Sequence, residues 1–207
     1  MQRLTLSGGI PEALKGSIVA LGNFDGFHLG HQAVVGRAIA RGFHERRPVI
    51  VATFDPHPVH FFKPDLPPFR LTTLDQREAL FAHAGADAML VFEFTRELAS
   101  MEAEEFVAEV LAKQLGAAGV VTGDDFSFGK GRQGDVALLK TLGDQHGVIA
   151  EAVPQVLLDG ERISSGRIRE ALIAGDIGLI LLSIFDAFVI YLAVHEYRLL
   201  RRHLPTH

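Results

Sequence analysis

Residues 17–31, SIVALGNFDGFHLGH, lead from a short apolar run into a glycine-rich loop that carries two histidines. We predict a strand over 18–21 and a helix from about Gly30. A loop that opens a helix presents backbone N–H groups and the positive end of the helix dipole, which together bind anions. The pattern therefore predicts a phosphate site, with His28 and His31 as hydrogen-bond donors that act more strongly when protonated.

The glycines and histidines of this loop raise three other interpretations. The sequence contains no G-x-x-x-x-G-K-[ST], so the loop is not a P-loop. The three-residue spacing of His28 and His31 recurs in His57 and His60, and four imidazoles could form a zinc site. The remaining bland alternative is that the first two histidines only line a turn.

The rest of the chain alternates short β-branched runs with amphipathic helical patterns. The predicted strands are 18–21, 49–54, 88–92, 119–122 and 148–153, and two of the helical patterns lie at 73–85 and 101–116. This alternation is typical of an α/β protein, in which a mainly parallel sheet carries helices on both faces. Such sheets bind ligands at the carboxyl ends of their strands, so we expect the function to lie in the loops that follow them.

Composition excludes several classes of protein. The chain has 207 residues, a net charge of −5 and no cysteine. Disulfide frameworks, thiol nucleophiles and thiolate metal sites are excluded, and no nucleic-acid partner is expected because a clustered basic surface is lacking. The first residues show no apolar leader, so we expect a cytoplasmic location. Residues 177–194 are apolar apart from Asp186, and this hydrophobic helix could cross or attach to a membrane, or pack on the domain or a second copy.

A second loop, TFDPHP at residues 53–58, directly follows a predicted strand. Two prolines stiffen it and aim Phe54 and His57 at the carboxyl end of that strand. The proline-rich stretch 57–70 is predicted to be a long loop without helix.

A third loop, GDDFSFGKGRQG at residues 123–134, places two phenylalanines beside two aspartates. These side chains could flank a planar heterocycle and bond to its edge. The G-x-G-x-x-G pattern within it, Gly129 to Gly134, is interpreted as a coincidence, because the tight strand–turn–helix context of a dinucleotide fingerprint is missing.

A fourth segment, ISSGRIREAL at residues 163–172, begins a predicted helix. Ser164 and Ser165 could cap it, which would place Arg167 or Arg169 in its first turn. A cation there opposes the helix dipole and suggests an anion to neutralise. Taken by itself, however, the segment is better explained by an ordinary capped helix with solvated arginines.

Taken in order, these four motifs resemble the adenylyltransferase module of the bacterial bifunctional riboflavin kinase and FAD synthetase family, over residues 15–177. The resemblance implies a Rossmann-like nucleotidyltransferase fold over residues 1–177 and transfer of AMP from ATP to FMN, aided by Mg²⁺. It implies that the catalytic residues are His28, His31, Ser164, Ser165 and Arg169. It implies that the residues binding ATP and FMN are Gly22, Phe24, Asp25, Gly30, Phe54, His57, Pro58, Asp125, Phe126, Phe128 and Arg167.

Two departures from the family pattern matter for function. The family usually has serine or threonine where this chain has Gly166, so a hydroxyl near the phosphates is missing. The family's kinase module does not follow, and residues 178–207 form the hydrophobic tail with a basic end, so riboflavin kinase activity is expected to be absent. These departures keep open an alternative, a non-catalytic flavin- or ATP-binding protein attached to a membrane by that tail.

Overall fold

The computed structural model describes residues 1–65, 70–158, 160–176 and 178. Its centre is a six-stranded sheet with the order β1-β4-β3-β2-β5-β6, in which every pairing is parallel. The strands are β1 (Gln2–Thr5), β2 (Ile18–Leu21), β3 (Val49–Asp55), β4 (Ala88–Glu93), β5 (Gly119–Gly123) and β6 (Ile149–Val153), and a separate antiparallel pair is formed by β7 (Leu157–Leu158) and β8 (Glu161–Arg162). The predicted α/β class is confirmed.

Helices cover both faces of the sheet. They are α1 (Leu29–Glu45), α2 (Pro58–Phe62), α3 (Leu74–Ala84), α4 (Arg96–Ser100), α5 (Ala103–Glu105, continued by π-helical turns over Phe106–Gln114), α6 (Val136–His146) and α7 (Ser165–Ala174). Side chains of α1, α3 and α7 form one buried cluster with the sheet. The π-helical segment and α6 contribute to the second cluster, on the opposite face.

The strand order places a crevice at the centre of the sheet. From β2 the chain winds outward through β3 and β4, and then returns to the other side of β2 to form β5 and β6. Because the direction of winding reverses at β2, the connections that leave β2 and β5 separate and open a gap at their carboxyl ends. All four residues of β2 are buried, as expected of a central strand.

The structure adds elements that the sequence analysis missed. Strand β1 and the β7–β8 pair were not predicted. The prediction that 57–70 contains no helix was wrong, because α2 occupies Pro58–Phe62. Pro58 is tolerated there since the first helical residue needs no N–H partner, and His57 caps the helix by accepting a bond from Val59 N at 3.2 Å.

The predicted tail helix over 178–207 lies outside the described residues, apart from Gly178. In the part of the chain that the structure describes, no helix is both long and apolar enough to cross a membrane.

Candidate active site

A cavity of about 730 Å³ opens at the carboxyl ends of the central strands. This volume lies within the range of about 300 to 1,000 Å³ that is usual for small-molecule sites. Most of the predicted site residues line it: Gly22, Phe24, His28, Gly30, His31, Phe54, His57, Pro58, Asp125, Phe126, Phe128, Ser164 and Ser165. The cavity thus brings all four sequence motifs together, whereas Asp25, Arg167 and Arg169 are not among its lining residues.

Buried aromatic rings shape the loop that joins β2 to α1. Phe24 and Phe27 adopt the left-handed backbone region, with φ of 49° and 39°, which is uncommon for non-glycine residues. Both rings pack edge-on against Phe81, with centroids 5.8 and 5.4 Å away. Gly26 between them has φ of 86°, and a Cβ there would lie 2.7 Å from Leu71 Cδ1, so only glycine fits. Burial of the two rings therefore offsets the strain of the turn.

Asp25 organises this loop from behind the cavity wall. Its side chain is 2% exposed, and its carboxylate accepts hydrogen bonds from Leu71 N, Thr72 N and Thr72 Oγ1 at 2.9–3.1 Å. It also pairs with Arg169 Nη2 at 2.6 Å. In addition, Ser165 Oγ donates to the Asp25 carbonyl at 2.8 Å. The family resemblance implied that Asp25 contacts a ligand. In the structure, its carboxylate joins the loop to the segment before α3 and to α7.

The two histidines stand at the start of α1. Their rings are stacked with centroids 3.7 Å apart, and Phe24 meets His31 edge-on. His28 is the N-cap residue, but its side chain makes no capping bond, and the first bond within the helix runs from Gln32 N to His28 O at 2.9 Å. Both Nδ1 atoms are buried, and neither has a hydrogen-bond partner among the described residues. Buried polar atoms of this kind mark a place where a bound group would supply the missing partner.

Burial sets the charge of the imidazoles. Desolvation, with a smaller contribution from Arg162, lowers the pKa of His28 to about 4, and burial likewise lowers the pKa of His57 to about 4. The pKa of His31 falls well below its ordinary value for the same reason. In the unliganded protein near neutral pH these rings are therefore neutral donors, not the cations considered in the sequence analysis.

These pKa values predict an acid sensitivity. The unfolded histidine takes up a proton near its ordinary pKa of about 6.5, whereas folded His28 does so only at about 4. The stability associated with neutral His28 is therefore complete above about pH 6.5 and is lost as the pH falls toward 4. We expect His28→Gln to lose less free energy of unfolding than the wild type between about pH 7 and about pH 4.5, measured by urea unfolding. Exposed His44→Gln should follow the wild type, and identical pH slopes for His28→Gln and wild type would contradict the burial argument.

Aromatic side chains form the other end of the cavity. Phe54 is stacked with Phe92 at 5.2 Å, and Phe126 with Phe128 at 5.8 Å. Phe62 on α2 is 64% exposed at the mouth. These flat apolar surfaces suit a planar ring system.

The G-x-G-x-x-G stretch supports this aromatic wall and lies next to α6, but it is not a tight turn between a strand and a helix, because β5 already ends at Gly123. Phe128 and Gly134 form an isolated antiparallel bridge, and Lys130–Arg132 is a single 3₁₀ turn. A Cβ on Gly134 would lie 2.8 Å from the Phe128 ring, so this glycine is needed for ring packing. The stretch thus lacks the strand–turn–helix geometry of a dinucleotide fingerprint.

The start of α7 closes the polar end of the cavity. Ser164 caps the helix by accepting a bond from Arg167 N at 3.3 Å. The nearby arginines have carboxylate partners in the protein: Arg167 pairs with Glu161, and Arg169 with Asp25. An anionic ligand is therefore not required to explain the arginines of this helix.

Arg162 and Asn23 are among the polar cavity residues that the sequence analysis did not name. Arg162 lines the cavity and pairs with Asp125, and Asn23 lines it with a buried Oδ1 that has no partner among the described residues. Arg162 lies one residue before the ISSGRIREAL motif, but a single arginine beside a motif carries no periodic signal.

No metal centre is formed by the described residues, which contain no group of three or more histidine, aspartate or glutamate side chains able to hold an ion. His57 and His60 lie 6.4 Å apart with their rings nearly perpendicular, while His28 and His31 are stacked. The alternative of a four-imidazole zinc site is thus not supported by the structure.

Three features define a Rossmann-like α/β protein with a nucleotide-type site. The direction of winding reverses at β2, a helix starts at the cavity, and aromatic rings form one of the cavity walls. The chain belongs to the FAD synthetase family, whose model matches residues 10–167. The resemblance seen in the sequence motifs is confirmed.

Similar proteins include two bifunctional riboflavin kinase/FMN adenylyltransferases, from Pseudomonas fluorescens (40% identical) and Escherichia coli K12 (36% identical). Each match covers 80% of this chain and 53% of the relative, so the chain spans about half the length of these relatives. A crystal structure titled macrolide-efflux protein from Streptococcus pneumoniae is similar with a TM-score of 0.76 and 27% identity, over 90% of this chain and 71% of the other.

Proposed function

We propose that this protein is an FMN adenylyltransferase, which transfers AMP from ATP to FMN and gives FAD and pyrophosphate. One observation carries the proposal: a single cavity joins a polar end, where buried imidazole nitrogens meet a helix start, to an aromatic end suited to a flavin. The first end matches the needs of a polyphosphate and the second those of a tricyclic ring.

The proposed reaction needs no protein nucleophile. An oxygen of the FMN phosphate attacks the α-phosphorus of ATP, and the bond from that phosphorus to the pyrophosphate oxygen breaks. Catalysis then consists of positioning and of stabilising charge on the crowded phosphates.

We assign the residues to three groups. The ATP phosphates are bound by His28, His31, Ser164 and Ser165, and the flavin side is formed by Phe54, His57, Pro58, Asp125, Phe126 and Phe128. Gly22, Phe24 and Gly30 belong to the loop beside the ATP phosphates, and Gly30 leaves room for the His28 ring, because a Cβ there would lie 3.2 Å from that ring. Asp25, Arg167 and Arg169 act by positioning these segments.

Mg²⁺ would be held largely by the phosphates of ATP and would help to neutralise their charge. This ion typically keeps several waters and uses only one or two carboxylates. Asp124 lines the cavity and would supply such a carboxylate, whereas Asp125 is paired with Arg162.

The direct test is to incubate the purified chain with FMN, ATP and Mg²⁺ and to follow FAD and pyrophosphate by chromatography. Formation of both supports the proposal, and binding of both substrates without product refutes it. Riboflavin in place of FMN should give no phosphorylated product.

Gly166 is the observation that favours the alternative, a non-catalytic flavin- or ATP-binding protein. The structure shows that this position can accept a side chain, because an added Cβ would meet only Ser164 Oγ, at 3.7 Å. Attachment to a membrane through residues 178–207 belongs to the same alternative, and a detergent requirement that is lost on truncation after Asp176 would support it.

Gly166→Ser is expected to raise turnover by about ten-fold, since one hydrogen bond to a charged group contributes about 1.5 kcal/mol or more. Gly166→Ala is the matched control, because it raises helix propensity at least as much as serine does and lacks the hydroxyl. Steady-state FAD formation by the two variants would show the difference. Equal rates for serine and alanine would show that a hydroxyl at this position is irrelevant.

A further inference from the structure

Arg77 is a fully buried arginine that none of the sequence motifs contains. It lies on α3, is 2% exposed, and reaches under the loop between β2 and α1. Its Nη1 donates to Thr53 Oγ1 at 2.8 Å and to the Asn23 carbonyl at 3.2 Å, and its Nη2 donates to the Thr72 carbonyl at 3.3 Å. All of these acceptors are neutral.

The hydrogen bonds of Arg77 fix the residue from which the loop departs. Thr53 Oγ1 also donates to the Asn23 carbonyl, at 2.7 Å, so the Asn23 carbonyl oxygen accepts two hydrogen bonds. The next residue, Phe24, has the left-handed backbone that begins the turn. Arg77 therefore anchors the loop at its first strained position.

Arg77 also adds a charge that its immediate contacts do not neutralise. No carboxylate of the described residues forms an ion pair with it, and the charge that most favours its protonated form, Asp25, is already paired with Arg169. A buried charge with neutral partners is costly to hold. An anion in the adjacent cavity would offset that cost.

The positive charge of Arg77 acts on two histidines that line the cavity. It contributes to lowering the pKa of His31 and of His57, which line the cavity on two different loops. At His31 burial is the largest cause, and Arg77, Arg169 and Arg162 all act in the same direction. Since the imidazoles are neutral, fixed positive charge at this end of the cavity comes from guanidinium groups.

We propose that Arg77 is a positioning residue that also supplies constant positive charge behind the nucleotide loop, so that affinity for a nucleotide increases with its phosphate charge. The inference rests on the ATP site of the proposed function. It assigns a role in binding to a residue that is not among those lining the cavity.

The test compares ATP with AMP, titrated by calorimetry without divalent cations into the 207-residue chain and its variants. Arg77→Met should weaken ATP binding by about ten-fold and AMP binding by about three-fold, because the Coulomb term scales with ligand charge. Arg77→Lys should keep the ratio of the two affinities within about two-fold of the wild type. Arg46→Gln, which removes an exposed charge at the far end of α1, should change neither affinity and controls for net charge.

Equal losses for ATP and AMP in Arg77→Met would mean that Arg77 is only structural and would overturn the inference. Should that variant fail to fold, Arg77→Gln takes its place, because it is neutral and keeps hydrogen-bond donors. A wild-type chain that binds ATP while the neutral variant binds it equally well overturns this inference alone. A wild-type chain that binds ATP neither in the absence nor in the presence of Mg²⁺ refutes the proposed function.

Discussion

Alanine at His28 or His31 is expected to lower kcat for FAD formation by about 10²- to 10³-fold, the usual effect of removing one donor to transition-state charge. The dissociation constant of FMN should change by less than about two-fold, because the flavin is assigned to the aromatic end of the cavity. The reason is geometric: both rings are held at the start of α1, with Nδ1 atoms that have no partner among the described residues.

The measurement combines steady-state rates with fluorescence titration of FMN. His44→Ala is a matched control, since this histidine lies near the other end of α1 and is exposed. Parallel losses of rate and flavin affinity in His28→Ala would place that ring against the flavin and contradict the assignment.

The second large effect is expected from Asp25→Asn, which should lower the free energy of unfolding by about 3–5 kcal/mol. The change removes the charge that pairs with Arg169 and weakens the acceptor of the Leu71 and Thr72 amides. An amide nitrogen facing those N–H groups would be repelled, so three segments of the chain would lose their common attachment. Urea unfolding provides the measurement.

Asp75→Asn provides the comparison, because Asp75 also pairs with an arginine, Arg3, but is 87% exposed. Loss of this exposed ion pair should lower the free energy of unfolding by less than about 1 kcal/mol. Unchanged stability of Asp25→Asn together with lost activity would indicate that Asp25 contacts a ligand directly, as the family resemblance implied.

The central strands and the first helix could be predicted from local pattern alone. Ile18–Leu21 is a short apolar run between glycines, and the chain has few other ways to bury it. The glycines at positions 22, 26 and 30 indicate a turn followed by a helix. In the structure, α1 begins at Leu29. Strand β1 was not predicted, because its sequence has no apolar run. It lies at the edge of the sheet, and only one of its four residues is buried.

The roles of individual site residues depended on contacts that no local pattern contains. Asp25 stands in the loop predicted to bind phosphate, yet its partners are Leu71, Thr72 and Arg169, far away in sequence. Arg77 looks like a surface residue of an amphipathic helix, but the fold buries it beneath the loop. A sequence pattern contains information about residues that are a few positions apart. The contacts of Asp25 and Arg77, in contrast, form only when β3, α3 and α7 pack around one loop.

Sequence was enough to establish the α/β class, the family and the four loops that meet at the strand ends, because periodicity and motif order are local properties. Tertiary structure decided which of those residues face the cavity, which hold the loop from behind and whether the histidines carry charge. Charge state and orientation depend on burial and on distant partners, and both are set only when the sheet and its helices pack.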